Sequence, residues 1–293
     1  MRHGFSIAAV AAMALAAPAL VPVPAFAQAG HAHHAASAPA PVIDPALAAA
    51  VANPRRADDK ARDVYRHPAE MLSFFQVAPE MKVGEYAPGG GWFSRLLGLY
   101  LGPKGHLTGV FFDPGNGAFA EATQKGIRDG AAKYPAEVAG YTGLAADRFS
   151  ALTLDAVADS EKGTYDRILV LRMMHNLLRW NIADSEMKAL RALLKPGGMV
   201  GIEQHRAKAD APYSYTDGTK GYLREADVVR FMELNGFDFV ARSDMNANAK
   251  DPANWPEGVW TLPPTLRLGD ADRARYLAVG ESDRMTLLFR KRP

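Results

Sequence analysis

The sequence contains no cysteine, no long run of one charge sign and, after its first 27 residues, no apolar stretch long enough to span a bilayer. Without cysteine there are no disulfides, no thiolate zinc sites, no cysteine-bound iron–sulfur cluster and no cysteine nucleophile. Lys+Arg number 34 against 32 Asp+Glu, a formal net charge of only +2, and the basic residues form no stripe. A binder of phosphate backbones needs such a stripe, which argues against a nucleic-acid partner. What remains is a chain of 293 residues, 48% hydrophobic and 23% charged. That is enough to bury a sizeable core in one large domain or two small ones.

Residues 1 to 27 combine a short positive start (Arg2, His3), an apolar run from Phe5 broken by Pro18, Pro22 and Pro24, and Ala25-Phe26-Ala27 as a small-x-small cleavage pattern. This is the pattern of a secretory signal peptide. A membrane anchor is the weaker alternative, because the uninterrupted apolar run falls short of the ~20 residues a spanning helix needs. The expectation is export, to the periplasm, with no stable membrane insertion once the leader is removed. Residues 28 to 43 are rich in Ala, Pro and His and cannot build a core, so they read as linker. His31, His33 and His34 could catch a metal ion, but nothing holds them in place, and a polar tail is the plainer reading. Asp44-Pro45 offers an N-cap followed by proline at the first helical position, opening a short helix to about Ala52.

Thereafter strands and helices alternate. Helices are predicted from His67-Pro68 through Phe75, over 92–101, within 118–133, over 182–194 and over 224–235. Strands are predicted at 81–86, 106–112, near 140–146, and at 165–172, 199–205, 237–244 and 285–291. Parallel neighbours need crossover helices, so this order implies a mostly parallel, doubly wound α/β sheet of seven strands. About 40 residues with few helix signals separate the last two strands, and long structured loops tend to carry function.

The chemistry gathers at the end of the first strand. Glu85 is followed by Tyr86-Ala87-Pro88-Gly89-Gly90-Gly91 and then a helix. Ligands of open α/β sheets bind beyond the carboxyl ends of the strands, and glycines let the backbone approach them closely. Asp113, 22 residues after Gly91, ends the second strand, where a carboxylate can accept ribose hydroxyl protons. A negative charge at Glu85 favours a cationic ligand such as a sulfonium over a pyrophosphate. The bland alternatives are a tight turn for the glycines and an N-cap before Pro114 for Asp113. A sharper rival is a nicotinamide site, since Gly89-x-Gly91-x-x-Ser94 approaches the dinucleotide fingerprint; Glu85 stands against it.

At VGEYAPGGGWFS (83–94), VFFDP (110–114), YDRILVLRMMHN (165–176) and LKPGGMVGIEQHR (194–206), the chain resembles class I S-adenosylmethionine-dependent methyltransferases, over roughly residues 60 to 293. PGGGW, the His-Asn after the fourth strand, EGVWTLPPTLRLGD (257–270) and GESDRM (280–285) are similar to a group of exported bacterial predicted methyltransferases. The resemblance implies a Rossmann-like seven-stranded sheet with an antiparallel last strand and S-adenosylmethionine as cofactor. It implies that Glu85, Gly89 and Gly91 border the methionine part, Asp113 the ribose, and Asp147, after the third strand, the adenine. Ala87 stands where the usual first loop glycine lies, within the same cofactor-binding loop. The organisation is then a leader (1–27), a linker with a short helix (28–57) and a methyltransferase-like domain (58–293).

On the acceptor side, Arg172, His175 and Asn176 follow the fourth strand. Methyl transfer is an in-line displacement, and an oxygen or nitrogen acceptor must lose a proton. His175 is the candidate base, with Asn176 and Arg172 as orienting groups; a hydrogen-bonded structural histidine is the alternative. Glu203 and His205 end the fifth strand, and a His/His/Glu set could hold a metal, although spacing alone assigns none. Trp255 and Trp260 either wall an apolar acceptor or pack their loop onto the sheet. The partner expected is a small molecule, with the oligomeric state left open. A non-catalytic exported binding protein on the same fold is the competing class, because little S-adenosylmethionine is expected outside the cytoplasm.

Overall fold

The computed structural model describes Met1 and residues 42–293, so the leader beyond Met1, and the linker to residue 41 with His31, His33 and His34, lie outside the described residues. Helix α1 (Pro45–Ala52) is capped by Asp44, whose carboxylate accepts the Ala46 and Leu47 N–H groups at 2.7 and 3.3 Å. Its Leu47 is fully buried. A 3₁₀ segment (Pro54–Arg62) and the short helices α2 (Asp63–Arg66) and α3 (Pro68–Phe74) lead into the sheet.

Seven strands follow in the spatial order β3-β2-β1-β4-β5-β7-β6. They are β1 (Lys82–Tyr86), β2 (His106–Phe111), β3 (Phe149–Thr153), β4 (Tyr165–Leu171), β5 (Leu194–His205), β6 (Phe237–Ser243) and β7 (Arg284–Lys291). Strands β1 to β5 run parallel, and β7 is antiparallel to both of its neighbours. This is a Rossmann-like, doubly wound seven-stranded sheet, mostly parallel with an antiparallel last strand. The crossovers are α4 (Trp92–Leu101), α5 (Glu121–Thr142), α6 (Met174–Arg179) with α7 (Ala183–Leu193), and α8 (Tyr213–Thr216) with α9 (Glu225–Leu234). The connection to β7 contains α10 (Arg273–Val279) and a 3₁₀ turn at Gly258–Thr261, neither of which periodicity announces.

The prediction for the third strand fails. The third strand lies at 149–153 rather than near 140–146, because α5 runs on to Thr142 through Pro135. An interior proline removes one helical hydrogen bond, but Tyr134, Val138 and Thr142 are buried along that stretch. Val138 and Thr142 press against Gly98 of α4, where a Cβ would stand 2.7 and 2.8 Å from their methyl groups. Packing outweighs the local break.

Two apolar layers flank the sheet. Leu47, Phe75, Val83, Leu96, Tyr134 and Leu288 belong to one, and Tyr86, Ile168, Met187, Leu190, Val228 and Phe289 to the other. Among the described residues no helix is long and apolar enough to cross a membrane. The Phe75 ring fills the space that Gly201 of β5 leaves, at 2.6 Å from where a Cβ would be. Gly201→Ala is therefore expected to cost about 1–3 kcal/mol through overpacking. Urea unfolding measures the loss, and an unchanged midpoint would show that the ring yields freely.

Candidate functional site

In this sheet the chain winds outward through β1, β2 and β3, then crosses back to β4, so the order reverses between β1 and β4. The carboxyl ends at such a reversal are where open α/β sheets place ligands. The residue after each of these two strands is strained: Ala87 has φ 48° and Arg172 φ 58°. Neither is glycine, and left-handed backbone at such residues costs of order 1 kcal/mol. Ala87 thus holds, at a penalty, a conformation that glycine adopts freely. In the rest of the loop, a Cβ at Gly89 or Gly90 would meet nothing within 4 Å, whereas Gly91 (φ 78°) is backed by Tyr141 and Arg95. The first two glycines therefore leave open space beside the backbone.

Glu85 does not face that space. It is 4% exposed, on the layer covered by α4 and α5, and its Oε2 accepts the hydroxyls of Ser94 (2.6 Å) and Tyr134 (3.0 Å). Tyr134 reaches it because Gly109, paired with Glu85 across β1 and β2, presents no side chain to its ring. Burial raises the Glu85 carboxyl to about 7, against the opposing hydrogen bonds from Ser94 and Tyr134. Glu85 thus braces the start of α4 and, buried there with its carboxyl raised, does not supply the negative charge expected beside a cationic ligand.

Asp113 lies just beyond β2, half-buried, with its Oδ1 accepting the Gly115 N–H at 2.7 Å. Its own N–H donates to Glu186 Oε1 at 2.9 Å, and Glu186 Oε2 accepts the Tyr86 hydroxyl at 2.5 Å. Glu186, from α7, thereby ties together the ends of β1 and β2, a role invisible in a helix pattern that marks it only as polar. Asp147 sits in an exposed turn before β3, at the amino end of that strand, and so away from the sheet edge that carries the glycine loop. The acid that does follow β3 is Asp155, paired with Arg128 at 3.0 Å.

Arg172, His175 and Asn176 meet at a cavity of about 370 Å³, beyond the ends of β4 and β5 and the start of β7. His205 and Trp260 also line it. Trp255 does not: its Nε1 donates to Asp251, and its ring packs edge-on against Tyr276 within the loop. His175 is 4% exposed, and burial lowers its imidazole to about 4, leaving it neutral. Its Nδ1 lies 3.3 Å from Gln204 Oε1, while Gln204 Nε2 donates to the Gly221 carbonyl at 2.7 Å. With the amide oxygen as acceptor, the proton belongs on Nδ1, and the lone pair is on Nε2. Gln204, not singled out by its sequence position, sets this tautomer. Among the described residues Asn176 Oδ1 is buried with no hydrogen-bond partner. His205 is pushed well below the usual imidazole range by burial and by His175, and its Nδ1 meets Ser282 Oγ at 2.6 Å.

The rest of the wall is charged, and sequence spacing does not foretell it. Arg62 and Arg66 come from the segment before the sheet, Arg179 from α6, and Glu281 and Arg284 from the approach to β7. Glu281 accepts from Arg62 at 2.7 Å, Arg66 at 3.3 Å and Arg284 at 2.5 Å. Burial opposes its ionisation, yet Arg284, Arg66 and Arg62 hold it down to about 2. Glu203, fully buried, lies 2.9 Å from Arg284 Nε and 3.9 Å from Arg172 Nη1. Among the described residues no group of three or more His, Asp or Glu is arranged to hold a metal ion.

No protein-family model matches the sequence, and no curated protein matches it. Solved structures similar to this chain include an S-adenosylmethionine-dependent methyltransferase from Aquifex aeolicus. It is 18% identical over 64% of this chain and 88% of that one, with a TM-score of 0.45. Another is the Burkholderia thailandensis 1,6-didemethyltoxoflavin-N1-methyltransferase with bound S-adenosylhomocysteine, at 14% identity over 88% and 95%, TM-score 0.43. The 4+2-cyclase SpnF is also similar, at 14% identity over 81% and 82%, TM-score 0.45.

The buried Glu85 makes a testable demand. Its carboxyl ionises near 4.5 in the unfolded chain and near 7 in the folded one. Below 4.5 both states hold the proton and there is no penalty. As pH rises towards 7 the unfolded state alone ionises, and the native state loses up to about 3 kcal/mol. Glu85→Gln lacks this loss, so its stability relative to wild type should improve between pH 5 and pH 8. Denaturant unfolding at the two pH values measures the difference, and parallel pH profiles would refute the buried protonated carboxyl.

Proposed function

We propose that this chain is an exported, S-adenosylmethionine-dependent methyltransferase acting on a small molecule. The carrying observation is the presence, after the two neighbouring strands at the reversal of strand order, of a glycine-thin loop open at Gly89 and Gly90 (after β1) and of a cavity lined by Arg172 and by a neutral histidine of defined tautomer (after β4), with the Arg172 guanidinium 5.1 Å from the Phe93 ring at the start of α4. The residues present fit the cofactor at two points. Gly89 and Gly90 leave room beside the backbone for the methionine part, and Asp113 presents a carboxylate beyond β2 for the ribose hydroxyls. When bound, the cofactor supplies an activated methyl group.

The chain's own residues then do three things. Asn176, through its unpartnered Oδ1, accepts a hydrogen bond from the acceptor and orients it. His175 takes the acceptor's proton at Nε2, while Gln204 keeps the proton already on Nδ1 in place. Its low basicity suits an acceptor proton that is itself acidic, since efficient transfer requires matched pKa values. Trp260, 5.8 Å from the His175 ring, walls the cavity and excludes water. Export rests on the leader pattern at 1–27 and places the reaction in the periplasm.

Calorimetry with S-adenosylmethionine on the purified chain tests the cofactor. Binding that weakens about tenfold or more in Asp113→Ala supports the ribose contact, charge-assisted bonds being worth ~1.5–3 kcal/mol. Absence of binding to the wild type removes the enzyme reading and leaves an exported binding protein. His175→Ala is expected to leave cofactor affinity unchanged and to lower turnover of an identified acceptor by ~10²-fold or more. An unchanged rate would return His175 to a structural role.

A further inference from the structure

The cavity wall has a charge imbalance that the methyltransferase reading leaves unexplained. Five guanidinium groups, on Arg62, Arg66, Arg172, Arg179 and Arg284, surround it, and two carboxylates, Glu203 and Glu281, oppose them. His175 and His205 are neutral there. Three positive charges therefore stand in excess. The hydrogen-bond geometry agrees with the count. Among the described residues, Arg62 Nη2 and Arg66 Nη1 are buried with no hydrogen-bond partner, Arg172 Nη1 has none either although Glu203 Oε2 lies 3.9 Å from it, and the Arg66 side chain as a whole is 3% exposed. Burying guanidinium groups without enough anions is costly, and leaving their N–H donors unmade adds to that cost. An anion in the cavity satisfies both. Val259, Trp260 and Pro264 add apolar surface to the same lining.

We propose that the cavity takes an organic anion, a carboxylate carried on a flat apolar body, with its charged end among the arginines and its body against Trp260. A carboxylate fits because it accepts paired N–H donors from the planar guanidinium fork. Arg179 is placed to receive it at the rim: it is exposed, carries no ion pair among the described residues, and lies 5.8 Å from the Trp260 ring. The inference adopts from the methyltransferase reading only the role of this anion as methyl acceptor; anion binding itself stands independently.

The probe is benzoate, titrated by NMR against the full chain, with benzamide as the uncharged counterpart and inorganic phosphate as an anion without a body. Benzoate is expected to bind at least about tenfold more tightly than either, the size of one charge-assisted hydrogen bond, and more weakly as salt is added. Arg179→Gln is expected to weaken it about tenfold with the thermal midpoint unchanged. Arg62→Gln should also weaken binding, with a lowered midpoint because it removes a partner of buried Glu281; if that variant fails to fold, Arg179→Gln carries the test alone. Phosphate binding as tightly as benzoate, benzamide matching benzoate, or an unaltered affinity in Arg179→Gln overturns the proposal. S-adenosylhomocysteine, titrated in parallel, separates the two readings. Benzoate bound without it keeps the anion site and removes the methyltransferase; the reverse removes the anion site alone. If S-adenosylhomocysteine displaces benzoate, the arginines serve the cofactor's own carboxylate and the proposal fails.

Discussion

Arg284 sits between two buried carboxylates, Glu203 at 2.9 Å and Glu281 at 2.5 Å, and much of the site hangs on that contact. A buried ion is tolerated only with a partner, and removing one member of such a set leaves the others uncompensated. Arg284 opens β7, Glu203 is near the end of β5, and Glu281 reaches back to Arg62 and Arg66. The guanidinium thus fastens the antiparallel end of the sheet to the helical segment that precedes it. The antiparallel course of β7 is what allows this, because it brings the first residue of the last strand to the same edge as His205.

The site has two halves with different character. Over the glycine loop the backbone does the shaping: Ala87 in a strained conformation, two glycines with open space, Asp113 held by Glu186. Around the cavity, side chains do it, through a dense and incompletely satisfied set of charges. The first half is suited to a ligand recognised mainly by shape and hydroxyl groups, the second to one recognised by charge. The two meet at Arg172, which follows β4, faces Glu203 and lies 5.1 Å from the Phe93 ring at the start of α4.

Much of this fold is legible in the amino-acid order. YDRILVLR holds the apolar run Ile168-Leu169-Val170-Leu171, and the spacing of Ala183, Met187, Leu190 and Leu194 marks a helix directly. The strand near 140–146 is not, because the helix before it persists through Pro135 on the strength of contacts with Gly98 and Gly109, whose importance no local pattern conveys. Residues that immediately follow a strand, such as Arg172, His175 and Asn176, are legible as a group, since parallel topology sends every such loop to one edge. The orientation of Glu85 is not: alternation assigns its face of the strand, but only the tyrosine arriving from α5 decides that the face is sealed. Arg62, Arg66 and Glu281 are illegible for a simpler reason, since nothing in a one-dimensional pattern joins positions 219 apart.

That separation governs when the pocket comes into being. Contacts between distant parts of a chain must overcome a larger loop-closure entropy than local ones and tend to form late. The β1–α4–β2 unit closes over short loops and can assemble early, with its glycine turn already shaped. The arginine wall waits for β7 to slot between β5 and β6. A newly made chain therefore carries the glycine-loop half of its site before it has the arginine-lined half, and completing the second is the same event as completing the sheet.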